Sequence, residues 1–304
     1  AAYPWLSCTG DTIPVQHEWG VFQDIYCAGQ EETFEFMETV LLEVIELFPA
    51  PYIHIGGDEA PKTRWEVCTH CQQRIATVGL KDEHELQSWF IERIGKFLEK
   101  NDRQIIGWDE ILDGGIPEGA IVQSWRGMQG GITAATRGHE VVMSPTSHAY
   151  FDYGVKSTNL EQVYHFDPVP TELSEKEASL VRGGECNMWT EHAPQHLVDS
   201  KMFPRILAMA EVLWTPLEVK DYSNFYERVQ NHYLVLDAKG VTYGMEALPI
   251  ELEGVIEEGA MIVHAEPHVS GVEVCQVIES DCVDLPAEGI KVNGEMELEF
   301  RITR

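Results

Sequence analysis

The chain has 304 residues, 44% hydrophobic and 10% aromatic, enough apolar material for one large α/β domain or a domain with a small appendage. Its 21 Lys and Arg against 51 Asp and Glu leave a formal charge of −30, a field that repels phosphate backbones and disfavours nucleic acid as a partner. No stretch is long and apolar enough to span a membrane, and the opening "AAYPWLSCTG" lacks the basic-then-apolar pattern of a signal peptide.

Residues 31–48, "EETFEFMETVLLEVIELF", carry Phe34, Met37, Leu41, Val44, Ile45 and Phe48 at helical spacing. Glu31 and Glu32 suit the positive N-terminal end of that helix, and Pro49 and Pro51 stop it. "YIHI" then reads as a short buried strand running into Gly56, Gly57, Asp58 and Glu59. Pro61 suits the first turn of the helix that follows. Residues 83–99 predict a helix with Leu86, Phe90, Ile94 and Phe97 or Leu98 on one face, leading into "RQIIGW", a strand that ends near Trp108. "AIVQSW" (120–125) is a strand, "MQGGITAATRG" a weak helix closed by Gly138, and "EVVMS" (140–144) a strand. A long loop rich in Pro, Asp and Thr covers about 145–180. "RGGECNMW" (182–189) reads as a strand, and helices over 199–214 and 222–237 follow.

Strands separated by helices pair in parallel through right-handed crossovers. The choice is between a doubly wound sheet and a (β/α)8 barrel. No G-x-G-x-x-G follows a strand, so nothing marks a dinucleotide fold. Instead, Asp58 and Glu59, Trp108, Trp125, Tyr150 and Trp189 gather at successive strand ends, as a barrel's C-terminal face requires. Five strands are countable up to residue 190 where a barrel has eight. The expected fold is therefore α/β, a partial (β/α)8 TIM barrel made of the later βα units, with about three upstream strands missing. It would occupy residues 1–243. From about 244 the texture changes: "GVEVCQVIES" and "GEMELEFRIT" alternate apolar and polar residues. Residues 244–304 read as a small β module that breaks off mid-strand at Arg304.

Seven cysteines are an odd count, and Cys68 and Cys71 form a C-x-x-C. A zinc site wants a second pair at suitable spacing, and none follows, so a disulfide or two thiols is the expectation there and no metal site is expected. Cys8 with Cys27, and Cys275 with Cys282, are further candidate bridges in an oxidising compartment.

Asp58 and Glu59 stand side by side where a strand ends and the backbone begins to turn, so both can lean over one pocket. Gly56 and Gly57 clear a path for a ligand. Two neighbouring carboxylates do not both ionise freely, so one pKa is expected to rise, which suits a general acid near neutral pH. The plain alternative is that the pair caps the next helix. Sugar rings have apolar faces and polar edges, and indoles make walls for them. Aromatic walls with a carboxylate dyad point to glycoside hydrolysis.

At this point the sequence resembles glycoside hydrolase family 20, the β-N-acetylhexosaminidases. "HIGGDEAPKTRW" is similar to the family's H-x-G-G-D-E signature, and "GWDEIL", "VQSWRG", "YFDY" and "NMWTE" resemble its later motifs in the right order. "FPRILAMAEVLW" (203–214) resembles its closing helix, and the likeness runs over about residues 1–243. It implies a retaining mechanism in which the substrate's own 2-acetamido oxygen is the nucleophile and closes an oxazolinium ring. It implies Glu59 as general acid/base and Asp58 as the carboxylate that orients the acetamide and balances the charge developing on its nitrogen. Tyr150 would hydrogen-bond the acetamide oxygen and Asp152 make a second polar contact beside it. Trp108, Trp125 and Trp189 would wall the acetyl methyl and the sugar ring, and Glu191 would bind sugar hydroxyls. The implied substrate is a β-linked N-acetylhexosamine oligosaccharide or glycoconjugate, with no cofactor, no metal and no nucleic acid involved. The resemblance also implies an exported protein, periplasmic or extracellular. The family's Arg from the first barrel strand and its P-G-H histidine have no counterpart here, so part of the sugar grip is expected to be absent with the missing strands. Asp109 and Glu110 read as supporting residues, and His54 as hydrogen-bonding within the barrel. Other readings are a lacto-N-biosidase-like enzyme, a non-catalytic carbohydrate-binding relative, and a retaining hydrolase whose nucleophile is a protein carboxylate.

Overall fold

The computed structural model describes residues 2–257, 260–269, 272–292 and 297–303. The chain divides into two compact units: Ala1–Thr146 with Asp167–Glu185, and Ser147–Phe166 with Cys186–Arg304.

The first unit is built on five parallel strands: β1 (Tyr52–His54), β2 (Gln104–Trp108), β3 (Ile121–Ser124), β4 (Val141–Met143) and β5 (Val181–Gly184). Each pairs with the next in chain order, Tyr52 opposite Gln104, Ile106 opposite Ile121 and Val122 opposite Val141. A doubly wound sheet reverses its strand order at a switch point, whereas an order that never reverses is the arc of a (β/α) barrel. The strands agree with those read from the sequence except the last. The expected strand over 182–189 ends at Gly184, because a register shift opposite Val141 and Val142 and a left-handed Gly183 (φ 136°) break the ladder.

The helices follow their local signals. α1 (Glu31–Leu47) starts with Glu31 and Glu32 in its first turn; it buries Phe34 and Leu41 but leaves Phe48 at its exit exposed. α2 (Thr63–Val67) and α3 (Thr69–Val78) come next, the latter closed by left-handed Gly79. α2 begins later than expected: Lys62 is its N-cap, so Pro61 precedes the helix. α4 (Glu83–Lys100) is capped by Asp82, which accepts from the His84 and Glu85 amides. It buries Leu86, Ile91, Ile94 and Leu98 and packs on β2. α5 (Gln129–Thr136) packs on β3 and β4.

The stretch 145–180, expected to be loop, contains three short helices: α6 (Thr146–Ala149), α7 (Leu160–Tyr164) and α8 (Glu175–Ala178). Asn159 caps α7, and Ser174 with Glu177 forms a capping box on α8. In the second unit the predicted helix over 199–214 is two, α9 (Val198–Met202) and α10 (Arg205–Trp214), divided at Pro204, which has no amide proton to continue the ladder. α11 (Tyr222–Lys239) runs from its Asp221 cap to left-handed Gly240.

Beyond it the strands are antiparallel. β6 (Ile250–Glu257), β7 (Ala260–Pro267) and β10 (Ile290–Val292) form one sheet, and β8 (Glu273–Ile278), β9 (Asp281–Asp284) and β11 (Phe300–Thr303) another. The Cys275–Cys282 disulfide ties β8 to β9, as the sequence suggested. Arg304 and part of "GEMELEFRIT" lie outside the described residues. Among the described residues, no helix is long and apolar enough to cross a membrane.

Candidate active site

In the first unit the candidate residues sit where β1, β2 and β3 end. After β1 the backbone turns sharply: Gly56 (φ 71°), Gly57 (φ 92°) and Glu59 (φ 48°) are all left-handed. Two of the three are glycine, which adopts that region freely; Glu59 does not, and a non-glycine residue held there stores strain of the kind found at functional sites. The turn is braced on every side. Trp108 N–H donates to Gly56 O at 2.9 Å, and Gln87 Nε2 donates to Gly57 O at 2.7 Å. A Cβ on Gly57 would come within 2.6 Å of the Ile111 side chain, so the backbone passes too close for any other residue. The N-cap position of α2 is Lys62, so neither Asp58 nor Glu59 occupies it. Asp58 is half-buried and Glu59 exposed.

The neighbouring side chains are held rigidly. His54, on β1, accepts from the Gly56 amide through Nδ1 at 3.1 Å and sets its ring edge-on to Trp108, centroids 4.9 Å apart. Trp108 itself is buried at the end of β2. Trp125, one residue past β3, donates its indole N–H to Glu110 Oε2 at 2.8 Å. Burial pushes the Glu110 carboxyl above its ordinary range, against the pull of that hydrogen bond. Asp109 is 2% exposed and paired to Arg126 Nε at 3.1 Å. Both acids thus support Trp125 and its loop, as their position suggested. Gln123 on β3 donates to Glu185 at 3.0 Å.

In the second unit, Tyr150 is buried just after α6 and bridges Asn187, while Phe151 N–H donates to Asn187 O at 2.9 Å. Asp152 is 2% exposed, and its Oδ1 has no hydrogen-bond partner among the described residues. The Trp189 amide bonds to its carboxylate, yet burial still raises the carboxyl above the ordinary Asp range. A buried, unmatched carboxylate oxygen costs about 1–3 kcal/mol or more, and a bound donor would recover it. Trp189 is 42% exposed and Glu191 is exposed in the turn beyond it. Within this unit Tyr150, Asp152 and Trp189 are brought together.

Local sequence pattern assigns Arg205 no role. It is 2% exposed and donates to four carbonyls: Lys201 (2.9 Å), Tyr153 (3.0 Å), Thr158 (2.9 Å) and Phe151. Burial lowers its pKa to about 10, so it stays charged. It pins the loop that carries Tyr150 and Asp152. The signal was present in "RILAMAEV": Arg205 leads the buried stripe Ala208, Met209, Val212, a cation where the pattern wants an apolar residue.

Cys68 and Cys71 are free thiols, one of the two expected states, whereas the candidate Cys8–Cys27 bridge is not formed. The sulfurs of Cys8 and Cys27, upstream of the C-x-x-C, lie with those of Cys68 and Cys71 within 4.8 Å of one another.

The chain matches the glycosyl hydrolase family 20 catalytic-domain model over residues 1–217. It is 45% identical over 256 residues to a beta-hexosaminidase of Porphyromonas gingivalis, covering 80% of this chain and 33% of that protein. It is 29% identical over 262 residues to one of Akkermansia muciniphila, covering 81% and 52%. Among solved structures it superposes on the β-N-acetylhexosaminidase of Bacteroides fragilis with a TM-score of 0.71 at 29% identity, over 81% of this chain and 51% of that one. With the Flavobacterium johnsoniae chitobiase the TM-score is 0.72 at 32% identity, over 80% and 37%. The chain spans about a third to about a half of the length of these curated relatives. A monotone parallel sheet, the D-E pair on its strained turn and the family match over residues 1–217 agree: this chain belongs to glycosyl hydrolase family 20.

Proposed function

We propose that the protein hydrolyses terminal non-reducing N-acetylhexosamine residues from β-linked glycans by a retaining, substrate-assisted mechanism. The observation that carries this reading is the turn after β1. It spends three left-handed residues, one of them Glu59, on presenting two adjacent carboxylates ahead of α2, neither at its N-cap. In this reading Glu59 protonates the leaving oxygen and later deprotonates water. Asp58 orients the 2-acetamido group and balances the positive charge that develops on its nitrogen as the ring closes. A neutral acetamide nucleophile needs one proton donor and one counter-charge, which the pair supplies, and it needs no third carboxylate. The unmatched Oδ1 of Asp152 beside buried Tyr150 supports a role for both in gripping polar groups of the sugar. Trp108, Trp125 and Trp189 would supply its apolar walls, and Glu191 a further contact to hydroxyls.

The test is binding of an N-acetylglucosamine thiazoline, a mimic of the cyclised intermediate. It should bind the full-length protein tightly and the Asp58→Asn variant far less, and aryl N-acetylglucosaminide should be cleaved where aryl glucoside is not. Equal affinity of the thiazoline for both proteins would refute the assignment of Asp58 and with it the substrate-assisted route.

A further inference from the structure

We propose that Cys8, Cys27, Cys68 and Cys71 form a structural tetrathiolate site for one zinc ion. Their four sulfurs all lie within 4.8 Å of one another. Cys8 and Cys71 stand 3.8 Å apart, and Cys27–Cys68 and Cys27–Cys71 each 3.7 Å. A regular tetrahedron with zinc–sulfur bonds of about 2.3 Å has edges of about 3.8 Å, the spacing that three of the six sulfur pairs show. The spacing does not suit disulfides, whose sulfurs are about 2.05 Å apart. Cys27 and Cys71 each contact two other sulfurs, an arrangement that four thiolates around one ion produce and two separate bridges do not require. Cys275 and Cys282, by contrast, are bonded. Soft thiolates in a tetrahedral set select zinc over hard cations.

The surroundings are those of a closed structural site. Cys27 and Cys71 are fully buried and Cys68 nearly so, among Trp65, Leu86, Ile25, Ile75, Trp89 and Phe90. Cys68 and Cys71 open α3, where the positive helix end favours thiolates. Cys8 and Cys27 are set side by side by the bridge between Ser7 and Tyr26 and by Cys27 N–H donating to Leu6 O at 2.8 Å. The two pairs meet because residue 29 is glycine: a Cβ there would stand 2.1 Å from His70 C and 2.4 Å from Cys71 N.

The site has a clear purpose. Among the described residues, 2–30 hold as regular structure one short 3-10 turn, Pro4–Leu6, and that one bridge. Such a segment has little to order it, and metal binding supplies folding free energy where secondary structure does not. The ion would fasten this segment to α2 and α3, which directly follow the Asp58–Glu59 turn. It is too enclosed, and too fully ligated by protein, to take part in catalysis.

The test is metal analysis of the full-length chain, purified with a reductant and without added chelator. One zinc per chain is expected, released when a mercurial reagent titrates the thiols. Cys27→Ser combined with Cys71→Ser should lose the metal, and Cys186→Ser should retain it. Where the double variant fails to fold, the wild-type chain loaded with cobalt in place of zinc should show the intense thiolate-to-cobalt absorption of a tetrahedral tetrathiolate. Absence of stoichiometric metal, iron in place of zinc, two disulfides among these four cysteines by mass, or a cobalt form without that absorption would each overturn the proposal.

Discussion

Replacing Arg205 by Met tests whether one buried cation holds the Tyr150–Asp152 loop in place. Met keeps most of the stem's volume and removes the guanidinium. The four carbonyls it now serves, on Phe151, Tyr153, Thr158 and Lys201, lose their donor inside a buried region. Each unmatched carbonyl costs about 1–3 kcal/mol, but removing a buried charge returns its desolvation energy. A net loss of roughly 3 kcal/mol follows, which in a chain of 304 residues lowers the melting temperature by roughly 5 °C. Arg205→Lys keeps the charge without the planar fork and should lose about half as much. Thermal melts give the stability. Hydrogen exchange at the Phe151 amide, bonded to Asn187 O, gives the local consequence and should accelerate in the Met variant. A melt within about 1 °C of wild type, with unchanged exchange across 150–153, would show that the loop is held by other contacts and that the reasoning is wrong.

Asp152 makes stability depend on pH. Burial raises its folded-state pKa above the ordinary 3.8, so between those two values the folded chain keeps a proton that the unfolded chain has released. Its contribution to stability is therefore present at low pH and lost as pH rises through that window. Asp152→Asn should gain on wild type in melting temperature as pH rises from about 4 to 7, and a difference that stays constant would count against it. Trp125→Phe removes the indole donor to half-buried Glu110 and should cost about 1–2 kcal/mol, read by denaturant unfolding; an unchanged midpoint would mean that Arg126 alone satisfies the carboxylate. Gly29→Ala forces a methyl group into the backbone of α3 and should destabilise by more than about 2 kcal/mol in a thermal melt, whereas a near-neutral result would mean that the 27–30 turn can move aside.

Local pattern by itself determined much of this protein. The apolar spacing of "EHELQSWFIERIGKFL" and the short β-branched runs before Gly56 and around "AIVQ" marked α4, β1 and β3, because those features depend on neighbours within one helical turn or one strand. Adjacency alone placed Asp58 and Glu59 at a strand end. The Asn159 cap and the Ser174–Glu177 capping box are local signals too, though the prolines of the stretch 145–180 mask them. What only the tertiary structure decided lies at long sequence separation. The cysteine contacts join residues 41, 44 and 63 positions apart, and no C-x-x-C spacing rule reaches an upstream pair in an irregular loop. The same is true of Arg205, whose acceptors on Phe151, Tyr153 and Thr158 are 54, 52 and 47 positions away. Whether Glu59 lies in a helix cap or on a strained turn depends on Gln87 and Trp108 holding the glycines before it. Sequence patterns report which residues a segment wants to bury or expose; only the folded backbone decides which distant segment supplies the partner, because that choice is made by packing and hydrogen-bond satisfaction across the whole unit.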